Sequence, residues 1–135
     1  MMANERKIQL LIDRPPKAVM VRADKKRIME VMTNLVANAV KYGKKNGFVQ
    51  VSFYDMKDTV MVEVMDNGIG VEKKDLSRIF ERFYRADKSR SREQGGTGLG
   101  LSIVKHIIEA HKQTINVKSM VDEGTTFTFT LEKAK

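Results

Sequence analysis

The stretch Gln94-Gly95-Gly96-Thr97-Gly98-Leu99-Gly100-Leu101 holds four of the chain's nine glycines and runs straight into an apolar helical pattern. Glycine costs a helix roughly 1 kcal/mol per position against alanine. A cluster of glycines at a helix start therefore points to a need for bare backbone N–H groups. Such a loop presents those donors, with the positive end of the helix dipole, to an anion. Phosphate is the first ligand to consider. Familiar phosphate loops do not fit, however. The P-loop spacing runs from Gly95 to Gly100 but meets Leu101 where lysine is required. The dinucleotide spacing fits at Gly96 and Gly98 and then fails at Leu101. The run before it, Ser89-Arg90-Ser91-Arg92-Glu93, is no apolar strand. The stretch is a phosphate loop of another kind or a flexible hinge.

Outside that loop the chain reads as one domain over residues 1–135, long enough to build a core. It has no apolar run near the ~18 residues of a membrane helix and no signal-peptide pattern. With no cysteine, disulfides and thiolate chemistry are excluded, which fits a reducing compartment. His106 and His111 lie five apart without the zincin Glu between them, which disfavours a metal site. A net charge of +8 favours an anionic partner: nucleotide, nucleic acid, acidic protein or membrane surface. The doubled Met1-Met2 start points to a piece of a longer chain.

Strands are expected over residues 7–13 and 18–22, separated by the turn Arg14-Pro15-Pro16. Asp24 is a good N-cap for a helix over 25–42, in which Ile28, Val31, Met32, Leu35 and Ala39 keep helical spacing. Gly43 is its expected C-cap. Val49, Val51 and Phe53 alternate with polar residues, as do Val60, Val62 and Val64, and Lys57-Asp58 suits a hairpin between them. Residues 71–83 read as a short helix or two turns, and a second long helix is expected from 98 or 99 to 110. A last strand pair, 115–120 and 125–132, puts Phe127, Phe129 and Leu131 on one face and Thr126, Thr128 and Thr130 on the other. One-sided strands and amphipathic helices describe an α+β fold. The expected architecture is a two-layer α/β sandwich, with helices on one face of a mixed, mostly antiparallel sheet.

Three further clusters bear on chemistry. Asn34, Asn38 and Lys41 stand at i, i+4 and i+7 and form one stripe. Asparagine is a mediocre helix former, so the stripe is either a solvated face or a polar wall of amide oxygens for a hard cation such as Mg2+, with a lysine for phosphate. Asp66 ends a strand of β-formers. It either makes an ordinary Asp-Asn-Gly turn or offers a carboxylate to a ligand amine, with Gly68 and Gly70 letting backbone pass close to a flat ring. An ionised carboxylate accepts and cannot donate, which selects an amino-purine over an oxo-purine. The segment from Arg82 to Arg92 carries five basic residues against Asp87. It reads as a solvated loop, a nucleic-acid patch or a lid over a polyphosphate, anchored by Phe80 and Phe83.

The order of these clusters resembles the ATP-binding catalytic domain of sensor histidine kinases, in the GHKL superfamily shared with type II topoisomerases, mismatch-repair ATPases and large ATP-dependent chaperones. Asn34-Leu35-Val36-Ala37-Asn38-Ala39-Val40-Lys41-Tyr42 is similar to the N box, and Asp66-Asn67-Gly68-Ile69-Gly70 to the G1 box. Ile79-Phe80-Glu81-Arg82-Phe83-Tyr84-Arg85 resembles the F box, Gly96-Thr97-Gly98-Leu99-Gly100-Leu101 the G2 box, and Gly124-Thr125-Thr126-Phe127 the last glycine box. The resemblance covers nearly the whole chain, and Phe-Tyr-Arg-x-Asp-Lys looks nearest to phosphate-sensing, PhoR-like sensors.

The resemblance implies a Bergerat ATP-binding fold and an ATP-dependent protein-histidine kinase domain with ATP and Mg2+ as cofactors. Asn38 would hold Mg2+, with Asn34 a polar helper to the chemistry. Lys41 would contact phosphate and Tyr42 lie against adenine. Asp66 would take the adenine amino group, partly through water, supported by Thr125, while Gly68 and Gly70 shape the base pocket. Arg85 would reach the terminal phosphate, and Gly96, Thr97, Gly98, Leu99 and Gly100 would wrap the phosphates. The family's phosphoacceptor histidine sits on a separate upstream helical hairpin. That motif is absent here, and His106 and His111 read as surface or helix-end residues. The implied partners are the phosphoacceptor histidine domain of a normally dimeric full-length kinase and a response regulator receiver domain. Neither nucleic acid nor membrane contact is expected of this fragment, which would be cytoplasmic, in a full-length protein anchored in the membrane. The rival readings are an anti-sigma-type serine kinase or non-catalytic ATP-binding regulator of the same fold, and a basic nucleic-acid-binding module, which would lose affinity steeply with salt.

Overall fold

A computed structural model of the chain describes residues 8–13, 20–81 and 100–134. Its elements in order are β1 (Gln9–Asp13), β2 (Val21–Arg22), α1 (Lys25–Lys41), β3 (Phe48–Asp55), β4 (Thr59–Asp66), α2 (Lys73–Leu76), α3 (Gly100–Ala110), β5 (Ile115–Met120) and β6 (Gly124–Lys133). The strands form one six-stranded sheet in the order β1-β3-β4-β6-β2, with β5 also paired to β6. Among the described strands the β1–β3 pair is parallel and the other pairs are antiparallel. β5 takes β6 residues 124–129 and β2 takes 132–133, so two short strands share one edge of the longest one.

Period-two alternation decides which face is covered. In β4, Val60, Val62, Val64 and Asp66 are buried while the residues between them are half-exposed. In β6 the buried set is Thr125, Phe127, Phe129 and Leu131. α1 packs on that face through Val31, Leu35 and Ala39, and α3 through Val104, Ile107 and Ile108, so both helices close one core. The Val, Leu and Ile side chains among these each contribute about 1.5–3 kcal/mol on leaving water. Phe80 meets Phe127 edge-on at 6.0 Å between ring centroids, seating the start of the F-box segment on the core. The two-layer α+β sandwich expected from the sequence is the architecture found.

The ends of elements differ in instructive ways. The Asp24 carboxylate caps α1, accepting from the Arg27 amide at 3.2 Å. α1 stops at Lys41, and its C-cap is Tyr42 rather than Gly43. Gly43 sits in a tight place: a Cβ there would lie 2.6 Å from the movable tip of Ile8 and 3.1 Å from the Ala39 carbonyl oxygen. α3 ends with Lys112 in the left-handed region at φ 59°, and the Gln113 amide reaches back to the Ile108 carbonyl at 3.1 Å. This is the six-to-one bond of a Schellman cap, made here without glycine. Of the segment expected over 71–83, residues 73–76 form the single turn of α2 and turns run through Phe80, while Arg82 and Phe83 lie outside the described residues. Lys7, Ala18 and the expected helix start at Gly98 or Leu99 lie outside the described residues.

Candidate functional site

The strand periodicity that builds the core also aims Asp66. It continues the apolar phase of Val60, Val62 and Val64, so its carboxylate faces the helices and is only 7% exposed. Its partner across β4 and β6 is Thr125, which continues the phase of Phe127 and Phe129 and is 6% exposed. Across β5 and β6, Thr125 is opposite Ser119, in phase with Ile115 and Val117. Asp66, Thr125 and Ser119 thus form one polar row across three strands, at the end where the apolar rows stop. Burial pushes the Asp66 carboxyl up from its ordinary 3.8, opposed by backbone hydrogen bonds from Gly68 and Thr125. No ion pair among the described residues neutralises it, so the site holds an acceptor suited to a neutral N–H donor.

The loop after Asp66 is stitched on both sides. The Gly68 amide donates to Asp66 Oδ1 at 2.8 Å, and the Ile69 amide to the Tyr42 carbonyl at 3.1 Å. Asn67 Oδ1 accepts from the Phe48 amide at 2.8 Å, and the Ile69 carbonyl from the Asp122 amide at 2.8 Å. Val71 N–H donates to Ser119 Oγ at 2.7 Å. A Cβ on Gly68 would fall 2.3 Å from the Tyr42 carbonyl oxygen. One on Gly70, at φ 75°, would fall 2.1 Å from that of Met120. Both glycines are therefore required by the chain's own packing before any ligand is considered. Lys44 Nζ also donates to the Asp122 carbonyl, tying the end of α1 to the β5–β6 turn.

On α1, Asn34 Nδ2 donates to the Glu30 carbonyl at 3.0 Å, and Asn34 Oδ1 lies 3.2 Å from where a Gly100 Cβ would stand. The first residue of α3 thus approaches α1 closely because it has no side chain. Asn38 and Lys41 follow on the same stripe, half-exposed, and Lys41 Nζ sits 5.4 Å from the Tyr42 ring centroid. The structure therefore joins Asn34 with Gly100, and Tyr42 with Gly68, Asp66 and Thr125, through one helix and its cap. Arg85, Gly96, Thr97, Gly98 and Leu99 lie outside the described residues. Among the described residues no group of His, Asp and Glu could hold a metal by itself. A Mg2+ ion would fit only with a single amide ligand, its other positions taken by phosphate oxygens and water.

His111 is a structural clasp. Its Nε2 accepts from the Asp24 amide at 3.1 Å and its Nδ1 donates to the Ile107 carbonyl at 2.8 Å, joining the start of α1 to the end of α3. His106 lines a groove of about 820 Å³ between the same helices, away from the Asp66 row. Two residues escape a motif reading. Ser119 is signalled only by being polar in an apolar phase, and the Asn67 side chain, inside the G1-like motif, locks the β3 start rather than facing a ligand. No helix among the described residues is long and apolar enough to cross a membrane.

The chain is 39% identical over 132 residues to the sensor histidine kinase WalK of Bacillus subtilis, covering 96% of this chain and 22% of that protein. It is 39% identical over 120 residues to the phosphate regulon sensor protein PhoR of Pseudomonas aeruginosa, covering 89% and 27%. The chain therefore spans about a quarter of the length of these relatives. Its fold superposes on full-length ShkA in complex with AMPPNP with a TM-score of 0.83 at 27% identity, over 98% of this chain and 27% of that one. It superposes on histidine kinase ThkA in complex with the response regulator protein TrrA with a TM-score of 0.78 at 28% identity, over 98% and 36%. The profile of one family matches residues 23–135, from the N-cap region of α1 through the last strand. The chain belongs to the histidine kinase-, DNA gyrase B- and HSP90-like ATPase family.

Proposed function

We propose that residues 1–135 form a single catalytic domain that binds Mg-ATP and donates its γ-phosphoryl group to a histidine on a separate dimerisation domain. The observation that carries this reading is the buried carboxylate of Asp66 opposite Thr125, at the end of the apolar rows, which no ion pair among the described residues neutralises. Ionised, it accepts the adenine amino group, directly and through water held with Thr125. Tyr42, whose carbonyl anchors the loop at Ile69, lies against the base. Asn34, Asn38 and Lys41 line the polyphosphate side, and the amides from Gly96 to Gly100 wrap it. Arg85 reaches the terminal phosphate. Asn38 would hold Mg2+, which supplies charge neutralisation on the phosphate oxygens. Phosphoryl transfer asks for in-line positioning and electrostatic support more than covalent help. The acceptor imidazole nitrogen attacks with its lone pair, the P–O bond to ADP breaks, and a P–N bond forms.

AMPPNP held by the ShkA relative and the regulator bound by ThkA support the same nucleotide class and a receiver domain as downstream partner. The full-length protein is proposed to be membrane-anchored, with this domain on the cytoplasmic side. The test mixes the domain with a histidine hairpin from its own full-length protein and γ-labelled ATP. Acid-labile, base-stable label on the hairpin is expected. Label on serine, or ATP binding without transfer to any hairpin histidine, would replace this reading with the serine-kinase or regulator alternative.

A further inference from the structure

Ser119 lies outside every motif of the site, yet its hydroxyl has three partners. It accepts from Val71 N–H at 2.7 Å, donates to the Gly124 carbonyl at 2.9 Å and lies 2.8 Å from Thr125 Oγ1. A hydroxyl carries one proton and two lone pairs. The Gly124 carbonyl can only accept, so it takes the Ser119 proton. The Val71 amide can only donate, so it takes one lone pair. The contact to Thr125 is left with one role: Thr125 donates its proton to the second lone pair. Thr125 Oγ1 then has no proton to offer elsewhere, and among the described residues nothing donates to its lone pairs. Beside it, ionised Asp66 is also acceptor-only.

We propose that Ser119 is a positioning residue for base selection, holding the Thr125 hydroxyl proton away from the ligand so that Asp66 and Thr125 together present only acceptors. This rests on the reading that the Asp66 row receives the base. A 6-amino-purine offers two N–H donors to such a wall, with or without a bridging water. A 6-oxo-purine sets a carbonyl oxygen against it and finds no donor. Removing the Ser119 hydroxyl frees Thr125 to turn its proton toward the ligand and accept the oxo-purine. The same three bonds explain how discrimination is kept rigid. Ser119 joins β5 to the segment after Gly70 through Val71 and to β6 through Gly124 and Thr125.

The test is calorimetric titration of the domain with Mg-bound, non-hydrolysable adenine and guanine triphosphates. Ser119→Ala is expected to reduce the adenine-over-guanine preference about tenfold, with a smaller loss in adenine affinity itself. Ser119→Thr, which keeps the hydroxyl, is expected to restore the preference. Should Ser119→Ala not fold, Ser119→Cys keeps the volume while weakening the acceptor and makes the same comparison. An equal loss for both nucleotides, with the ratio unchanged, would show a purely structural residue and overturn the proposal. Asp66→Asn separates the underlying reading. If it erases the preference while the Ser119 variants keep it, the Ser119 role alone falls. If it leaves the preference intact, the base does not sit on this row and both fall.

Discussion

Asp66 and Thr125 occupy one rung of the sheet, opposite each other on β4 and β6, each buried on the helix side. The rung is polar where every neighbouring rung in the same phase is apolar. Among the described residues no cation pairs with this buried carboxylate; such burial is costly, and that cost is what a donor-bearing ligand can relieve.

The first prediction concerns this cost. The Asp66 carboxyl is raised above its ordinary 3.8 by burial, so the folded state holds its proton more tightly than the unfolded state. By linkage, unliganded stability falls as pH rises from about that ordinary value through the raised one, and stays lower above it. Asp66→Asn should flatten this part of the profile and stabilise the unliganded domain at neutral pH. Adenine-nucleotide affinity should fall about tenfold to a hundredfold. Urea unfolding between pH 3.5 and 8, paired with nucleotide titration, checks both signs.

Gly124 permits the close pairing of β4 with β6. A Cβ there would stand 2.0 Å from the Asp66 carbonyl oxygen, at a φ of 130°. Gly124→Ala should destabilise the domain by about 2–4 kcal/mol, read as a lowered urea midpoint. An unchanged midpoint would mean the strand end relaxes freely.

Lys112 holds the left-handed position of the α3 cap at φ 59°. A non-glycine residue there costs roughly 1–2 kcal/mol. Lys112→Gly should therefore stabilise the domain by about 1 kcal/mol, visible as a Tm rise with nucleotide affinity unaltered.

On the phosphate side, Asn38→Ala should slow phosphoryl transfer to the histidine hairpin about a hundredfold or more. It should also flatten the dependence of nucleotide affinity on Mg2+. Affinity measured with and without chelator decides this. A variant that loses affinity equally in both conditions would assign Asn38 to the nucleotide rather than the metal.

Much of the fold is legible in the sequence where the signal is local. Asp24, the spacing from Ile28 to Ala39 and the alternation from Val60 to Phe129 each reflect a period that one element imposes on its own residues. The parallel pairing of β1 with β3, and the sharing of one β6 edge by β5 and β2, leave no such local trace. They depend on segments distant in sequence meeting in space. A cap at Gly43 is the reading its composition invites, whereas the end of α1 at Lys41 with Tyr42 as its cap is set by packing. Ser119, on β5, keeps the phase of Ile115 and Val117, a local pattern, but its three partners come from β6 and the segment after β4.

The last strand in chain order is also the one that three other strands lean on. During synthesis, β2 and β4 wait, each with an open edge, until residues 124–133 emerge, and β5 does too. Assembly of the sheet is therefore a late, long-range event. The amides of β6 should be among the slowest in the domain to exchange with deuterium. Shortening the chain before residue 124 would remove the seam on which the rest closes.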